Sequence, residues 1–274
     1  MLTRLLTFTQ EEPMPDNDIF NPGEETLEEL GRSNLKLIQR KSGFRFGEDT
    51  VLLSHFTAGF APVRKRGPVA LELGANCGAA SLLLSARRPD LRIDAVEIQV
   101  EAFEVLKRNI HLNELDSRIF PVCADLRNLP DNARIKKAEY DLVFFNPPYR
   151  IPDRGSITST ESGVLELRNA RFEFLGTLQD FVNTATTALR PGGVITMIQR
   201  TVRLPEVMKL LQEAGIEPFA LRMIHPTVEK GSASFLIAGR KSGKPGGFLV
   251  SKPLILRNQN KLPTDELSAI YTEG

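Results

Sequence analysis

The chain has 274 residues, of which 41% are hydrophobic and 25% are charged, and its formal net charge is +1. This composition is ordinary for a globular protein, and no apolar run reaches the roughly 20 residues that span a bilayer. The first residues lack the apolar stretch of a secretory signal, so we expect a cytoplasmic protein without a membrane contact. Cys77 and Cys123 have no metal-ligand spacing, which predicts two small buried side chains, no disulfide and no metal site.

The charges are unevenly distributed along the chain. Residues 11–30 contain eight acidic residues, three prolines and no lysine or arginine. We expect a loosely ordered acidic arm over residues 1–34, followed by one domain over residues 35–274. The rest of the chain then carries 35 basic and 26 acidic residues. This surplus can attract a phosphate backbone, although a solvated basic surface without a partner explains it equally well.

A short strand over residues 35–39 and a helix over 50–60, capped by Glu48 and Asp49, are predicted first. From residue 69 onward strands and helices alternate. The predicted strands cover residues 69–73, 92–98, 118–124, 140–145, 194–199, 218–224 and 234–240, and the predicted helices cover 78–87, 100–115, 174–189 and 204–214. This alternation predicts an α/β fold with a seven-stranded, mostly parallel sheet and helices on both faces. Ligands bind such sheets beyond the carboxyl ends of the strands.

A glycine-rich turn joins the first strand of this alternation to its helix. The turn holds Gly74, Asn76 and Gly78, and Glu72 precedes it in the strand. Glycine permits a tight turn and a close approach of a ligand to the helix start. The spacing differs from the G-x-G-x-x-G of dinucleotide sites and resembles the first motif of Rossmann-like class I methyltransferases. Asn76 stands where that motif usually has glycine, but asparagine tolerates a positive φ better than most residues.

Two acidic residues follow the next two strands at the same edge of the sheet. Glu97 can accept hydrogen bonds from both hydroxyls of a ribose, and Asp125 can accept one from an adenine amino group. Together with the turn they predict a site for S-adenosylmethionine. Phe46 and Asp49, in the segment that begins at Gly43, are expected to pack over this cofactor, although a role for the phenylalanine in the core is an equally good interpretation.

The tetrapeptide Asn146-Pro147-Pro148-Tyr149 follows the most apolar strand and is the most specific feature of the sequence. The exocyclic nitrogen of adenine is a poor nucleophile, because its lone pair is delocalised into the ring. The Asn146 side-chain oxygen and the Pro147 carbonyl can accept its two hydrogens, and the prolines fix the geometry of both acceptors. Tyr149 offers a flat face for stacking. We therefore predict Asn146, Pro147 and Tyr149 as catalytic residues that methylate a planar nitrogen.

Arginines are concentrated after the tetrapeptide. We predict that they contact RNA phosphates beside a flipped base, although solvated charge is the alternative. The predicted substrate-binding residues are Pro148, Arg150, Arg154, Arg168 and Arg171. Long loops in compact domains are usually functional, so we expect residues 150–173 to order over the substrate.

Residues 35–274 resemble the bacterial tRNA adenine-N6 methyltransferases that modify the adenosine beside the anticodon of a valine tRNA. The resemblance is carried by residues 39–46, 49–53 and 73–74, by the tetrapeptide, and by residues 169–173 and 225–226. It implies a Rossmann-like class I fold, S-adenosylmethionine as cofactor and N6-methyladenosine formation in tRNA, without a metal. Two alternatives remain open at this point: methylation of a protein glutamine, and a protein that binds S-adenosylmethionine without turnover. A monomer and a homodimer are both compatible with the sequence.

Overall fold

The computed structural model describes residues 19–31, 33–42, 45–131, 134–147 and 176–272. Strands β1 (Glu25–Glu29) and β2 (Lys36–Arg40) form an antiparallel hairpin at the start of this part of the chain. Ile19 and Phe20, which precede the hairpin, pack against the hydrophobic core. Residues 19–30 of the predicted acidic arm are therefore packed against the rest of the protein, and residues 1–18 lie outside the described residues.

A nine-stranded sheet forms the centre of the molecule. Its strands are β3 (Val69–Leu73), β4 (Arg92–Glu97), β5 (Ile119–Cys123), β6 (Tyr140–Phe145), β7 (Leu189–Arg200), β8 (Ile216–His225), β9 (Ser234–Lys241), β10 (Leu249–Val250) and β11 (Leu254–Ile255). The strand order is β10-β8-β9-β7-β6-β3-β4-β5, and β11 also pairs with β8. The seven predicted strands are present, and the two-residue strands β10 and β11 extend the sheet at one edge.

The sheet is mostly parallel, as predicted. β9 runs antiparallel to both of its neighbours, and the other pairings within the sheet are parallel. The chain proceeds from β3 through β4 to β5, and then returns to place β6 on the other side of β3. The strand order therefore reverses between β3 and β6. The carboxyl ends of β3 and β6 flank the crevice in which open α/β sheets bind their ligands.

Helices cover both faces of the sheet. They are α1 (Glu48–Ala58), α2 (Ala79–Arg87), α3 (Val100–Leu112), α4 (Leu178–Ala188), α5 (Leu204–Glu213) and α6 (Asp265–Thr272). Buried residues of α1, α2, α3 and α6 belong to the core on one face, and those of α4 and α5 belong to the core on the other. The β-strands between these two layers are almost wholly apolar because both of their faces are buried.

The start of α1 differs from the prediction. Gly47 is the N-cap residue of this helix, and no side chain makes a capping hydrogen bond. Glu48 and Asp49 lie in the first turn instead, where their negative charge favours the positive end of the helix dipole. Glu48 also accepts a hydrogen bond from Arg257 at 2.6 Å, which ties the start of α1 to the segment that follows β11.

Candidate active site

The glycine-rich turn between β3 and α2 has three residues in the left-handed region of the backbone. The φ angles of Gly74, Asn76 and Gly78 are +72°, +50° and +86°. A Cβ atom at Gly78 would collide with the side chain of Leu106 in α3. Glycine is therefore required at residue 78 for both its backbone conformation and its small size. Asn76 adopts the conformation that a glycine would have at this position.

Glu97 joins this turn to the end of β4. Its carboxylate is 3% exposed and accepts the Asn76 N–H at 2.8 Å with one oxygen and the Gln99 N–H at 2.8 Å with the other. Gly74 and Ala75 also donate their N–H groups to the Val96 carbonyl, at 2.9 and 2.8 Å. The first oxygen, Oε2, keeps a second lone pair, whereas Oε1 also accepts the Gln99 Nε2 at 3.4 Å, so Glu97 can accept a further hydroxyl group at Oε2. These residues fit the ribose of an adenosine cofactor.

Asp125 follows β5 at the same edge of the sheet. Its carboxylate accepts the backbone N–H and the guanidinium Nε of Arg127, both at 2.9 Å. The hydrogen bond from the Arg127 guanidinium holds the pKa of Asp125 below its ordinary value, so the group is a carboxylate at neutral pH. Its position fits an acceptor for an adenine amino group. Arg127 was not among the predicted site residues, although its spacing of two residues from Asp125 allows the local bond.

Glu72 lies in β3, and its side chain faces α2. It is 5% exposed, and the Ser81 hydroxyl of α2 donates to its carboxyl group. Burial raises the pKa of Glu72 to about 8. This hydrogen bond joins β3 to α2 across the base of the turn. Glu72 therefore binds another side chain of the protein, Ser81.

Phe46 and Asp49 lie on the segment that leads into α1. The Phe46 N–H donates to the side-chain oxygen of the buried Gln39 in β2 at 2.9 Å, and the Phe46 ring packs against the core. Asp49 is half-buried in the first turn of α1. The hairpin thus fixes the start of this segment through Gln39, which belongs to the segment of the resemblance over residues 39–46 but was not among the predicted site residues. Gly43 and Phe44 lie outside the described residues.

Asn109 connects the hairpin to the glycine-rich turn. Its side chain is fully buried, accepts the Ile38 N–H at 2.7 Å and donates to the carbonyls of Ile38 at 2.9 Å and Cys77 at 2.8 Å. The sequence analysis missed this residue too. A polar side chain beside the buried Leu106 and Ile110 of α3 was the signal that could have identified it.

The two cysteines differ in exposure. Cys77, within the turn, is buried, and burial raises its pKa to about 12. Cys123, the last residue of β5, is exposed, so the prediction that both cysteines are buried is wrong. Cys123 ends a strand at the edge of the sheet, where the alternation of side chains along the strand does not bury it.

Asn146 and Pro147 follow β6 at the carboxyl edge of the sheet. All six residues of β6 are buried, and Pro147 is buried as well. The Asn146 Oδ1 atom is also buried, and within the described part of the chain it accepts no hydrogen bond. A buried acceptor without a donor is rare in native proteins, and here it lies where a ligand is expected. The predicted residues Pro148, Tyr149, Arg150, Arg154, Arg168 and Arg171 lie outside the described residues.

Comparison with known proteins bears on the fold and on the enzyme class. The family model for the methyltransferase small domain matches residues 49–162. Among solved structures, a predicted O-methyltransferase from Agrobacterium tumefaciens superposes with a TM-score of 0.63 at 20% identity, covering 81% of this chain and 95% of its own. The chain has the fold of the Rossmann-like class I methyltransferases. Enzymes of this class take the methyl group from S-adenosylmethionine, so the predicted fold, enzyme class and cofactor are confirmed.

Curated relatives of this methyltransferase confirm the predicted resemblance. A tRNA1(Val) (adenine(37)-N6)-methyltransferase from Flavobacterium psychrophilum is 26% identical over 77% of this chain and 86% of its own. One from Flavobacterium johnsoniae is 30% identical over 58% of this chain and 63% of its own. TYW2 from M. jannaschii, solved in complex with AdoMet, has a TM-score of 0.51 at 14% identity, with coverage of 81% and 87%.

Among the helices with described residues, none combines the length and the apolar character that crossing a membrane requires. Likewise, no group of three or more metal-binding side chains is found in the described ranges. The structure brings four features together at one edge of the sheet: the glycine-rich turn, Glu97, Asp125 and the Asn146-Pro147 pair.

Proposed function

We propose that this methyltransferase forms N6-methyladenosine in tRNA, at adenosine 37 of a valine tRNA, and that it acts in the cytoplasm. The observation that carries the proposal is the Asn146 Oδ1 atom at the carboxyl end of β6, which is buried and accepts no hydrogen bond from the residues that the structure describes. This atom needs a donor, and the exocyclic amino group of adenine supplies one. The printed names of the curated relatives support the choice of tRNA and of adenosine 37.

The proposed chemistry is positioning and polarisation by acceptors. Asn146 Oδ1 and the Pro147 carbonyl accept the two hydrogens of the amino nitrogen and favour a pyramidal nitrogen with a localised lone pair. S-adenosylmethionine supplies the methyl group to this nitrogen. Because the acceptors are fixed by a buried strand and a proline, they need no reorganisation during the reaction. After transfer the nitrogen carries a positive charge and both of its hydrogens, so it is acidic and loses one proton to water without a strong base.

The cofactor residues are proposed on the geometry of the sheet edge. Glu97 binds the ribose hydroxyls, Asp125 accepts from the adenine amino group, and the turn at Gly74, Asn76 and Gly78 lets the cofactor approach the start of α2. Glu72 is proposed as a supporting residue, because its carboxyl group is engaged by Ser81. Phe46 and Asp49 are proposed to pack over the cofactor at this site.

The test is transfer of labelled methyl to RNA. Total tRNA from a strain that lacks this gene is incubated with the enzyme and methyl-labelled S-adenosylmethionine, digested to nucleosides and separated. We expect the label in N6-methyladenosine and in the valine tRNA fraction. The same assay tests Tyr149 as a predicted catalytic residue, and it tests Pro148 and the arginines at 150, 154, 168 and 171 as predicted substrate-binding residues. Label that enters only protein would contradict the proposal and favour glutamine methylation, and binding of S-adenosylmethionine without transfer to either would favour a binding protein.

A further inference from the structure

A basic surface lies at the amino edge of the sheet, on the side opposite to the candidate active site. Four strands that are neighbours in the order β9-β7-β6-β3 begin or end at this edge. The chain segments there carry nine lysines and arginines and no acidic residue, whereas the net charge of the whole chain is +1. We call these segments the amino-edge patch, and they are residues 64–66 before β3, 136–137 before β6, 190 at the start of β7 and 240–244 at the end of β9.

Hydrogen bonds and ion pairs join the segments of the patch to one another. The carboxylate of Asp141, the second residue of β6, is 3% exposed and binds the guanidinium groups of Arg64, at 2.8 Å, and of Arg190. The Arg240 guanidinium at the end of β9 donates to the Gly192 carbonyl of β7 at 3.0 Å. The ends of the four strands therefore form one continuous surface with a fixed backbone.

Four cations of the patch are not used by the fold. Lys65, Arg66, Lys137 and Lys244 are exposed, and within the part of the chain that the structure describes their side chains make no hydrogen bond or ion pair. Like charges held close together repel one another and destabilise the folded state. A polyanion that binds the patch relieves this repulsion and meets several exposed donors at once.

We propose that the amino-edge patch is a second RNA-binding surface, which holds the phosphate backbone of the substrate tRNA away from the candidate active site. Exposed lysine and arginine side chains bind phosphates without reading the base sequence. The inference rests on the proposed function for the identity of the RNA, and it goes beyond that function because the patch takes no part in methyl transfer.

The distance between the two edges of the sheet is compatible with one RNA that contacts both. β6 has six residues, so its two ends are about 20 Å apart. Small RNA-binding domains contact a duplex over about 16 base pairs, which is a longer span. A folded tRNA with one nucleotide in the acceptor pocket is therefore large enough to reach the patch. Such contacts add affinity for the tRNA and leave the chemical step unchanged.

The experiment compares two triple variants of the full chain with the wild type. The patch variant removes three exposed cations of the patch: Lys65→Gln, Lys137→Gln and Lys244→Gln. The control variant removes three exposed lysines from β2, from α5 and from the segment between β10 and β11: Lys36→Gln, Lys209→Gln and Lys252→Gln. The Kd for unmodified valine tRNA is measured by fluorescence anisotropy between 50 and 200 mM salt, and kcat and KM are measured by transfer of labelled methyl.

We expect the patch variant to raise both the Kd and the KM for tRNA by about tenfold at low salt and to keep the wild-type kcat. The slope of log Kd against log salt concentration is expected to fall by about 2–3, because each phosphate contact contributes slightly less than one unit. The control variant has the same net charge, and we expect its Kd, KM and salt slope to stay close to those of the wild type.

The outcomes separate this inference from other ligands and from the proposed function. A patch variant with the wild-type Kd and salt slope, or a control variant with an equal loss, would overturn the proposal. A patch variant that keeps its affinity for tRNA but loses binding to vesicles of anionic phospholipid would also overturn it and assign the patch to a lipid surface. If the wild type methylates no tRNA while the patch variant still loses affinity for it, the proposed function fails and the RNA-binding surface stands.

Discussion

Asn146 and Asn76 use different properties of the same type of residue. Asn146 supplies a buried oxygen that no donor in the described chain satisfies, whereas Asn76 supplies a backbone that accepts a positive φ. The sequence identified both positions because the tetrapeptide and the turn are local patterns. It could not identify Asn109, because the backbone groups that its side chain binds, at Ile38 and Cys77, lie far away along the chain.

Replacement of Asn146 is expected to affect the rate. Asn146→Ala removes one of two acceptors that act in the transition state, so we expect kcat to fall by about 10²–10³-fold with little change in S-adenosylmethionine affinity. Asn146→Asp keeps an oxygen acceptor and is expected to retain more activity than the alanine variant. Single-turnover kinetics with tRNA and calorimetry with S-adenosylmethionine measure the two effects. An alanine variant with wild-type kcat would exclude the proposed role.

Replacement of Asn76 tests why the turn departs from the glycine pattern. Asn76→Gly keeps the N–H that Glu97 accepts and adopts a positive φ freely, so we expect stability within about 1 kcal/mol of the wild type. Asn76→Val places a β-branched residue at φ +50° and is expected to cost about 1–3 kcal/mol and to weaken cofactor binding. Urea unfolding and calorimetry measure both. If the glycine variant loses binding as the valine variant does, the asparagine side chain itself contacts the cofactor.

The elements that the sequence predicted best are the buried strands. β3 and β6 have the predicted bounds, because a short run of apolar residues between turns is buried on both faces wherever it lies in the sheet. β1, β10, β11 and α6 were missed, since they are short and largely exposed, and their existence depends on pairing with β2 and β8 or on packing. β7 begins at Leu189, the last residue of the helix predicted over 174–189, and includes Gly192 and Gly193 before the predicted strand 194–199. Its register with β6 shifts there, and such a bulge cannot be predicted from local propensity.

The connection between the hairpin and α3 can be tested with two asparagines one helical turn apart. Asn109→Ala removes three buried hydrogen bonds to Ile38 and Cys77 and is expected to lower the free energy of unfolding by about 3 kcal/mol. Asn113→Ala is the matched control, because its bonds to the backbone of Lys36 are exposed, and we expect a loss below about 1 kcal/mol. Urea unfolding followed by circular dichroism gives both values. Equal losses would show that burial of Asn109 is not what makes its bonds important.

At the scale of the whole molecule, Glu72 makes stability depend on pH. Burial raises its pKa from 4.5 to about 8, so the folded protein keeps this proton in a pH range where the unfolded chain has released it. The contribution of Glu72 is therefore most favourable below pH 4.5, and it declines by about 1.4 kcal/mol per pH unit until the pH passes the folded pKa.

Glu72→Gln cannot ionise, so its stability relative to the wild type is expected to rise between pH 5 and pH 8. Urea unfolding of the protein without cofactor, at four pH values in this range, measures the difference. Glu139→Gln, an exposed glutamate, serves as control and is expected to stay parallel to the wild type. A constant difference between Glu72→Gln and the wild type would mean that Glu72 is already ionised in the folded protein.

The contrast between the two cysteines gives this enzyme a natural labelling position. Cys77 is buried and stays a thiol at neutral pH, whereas Cys123 is exposed at the end of β5, paired in register with Glu97 of β4. A maleimide dye added to the folded protein is therefore directed to Cys123, with no engineered mutation. Because Cys123 is two residues from Asp125 along the chain, the fluorescence of a dye attached to it can report binding of the cofactor in real time.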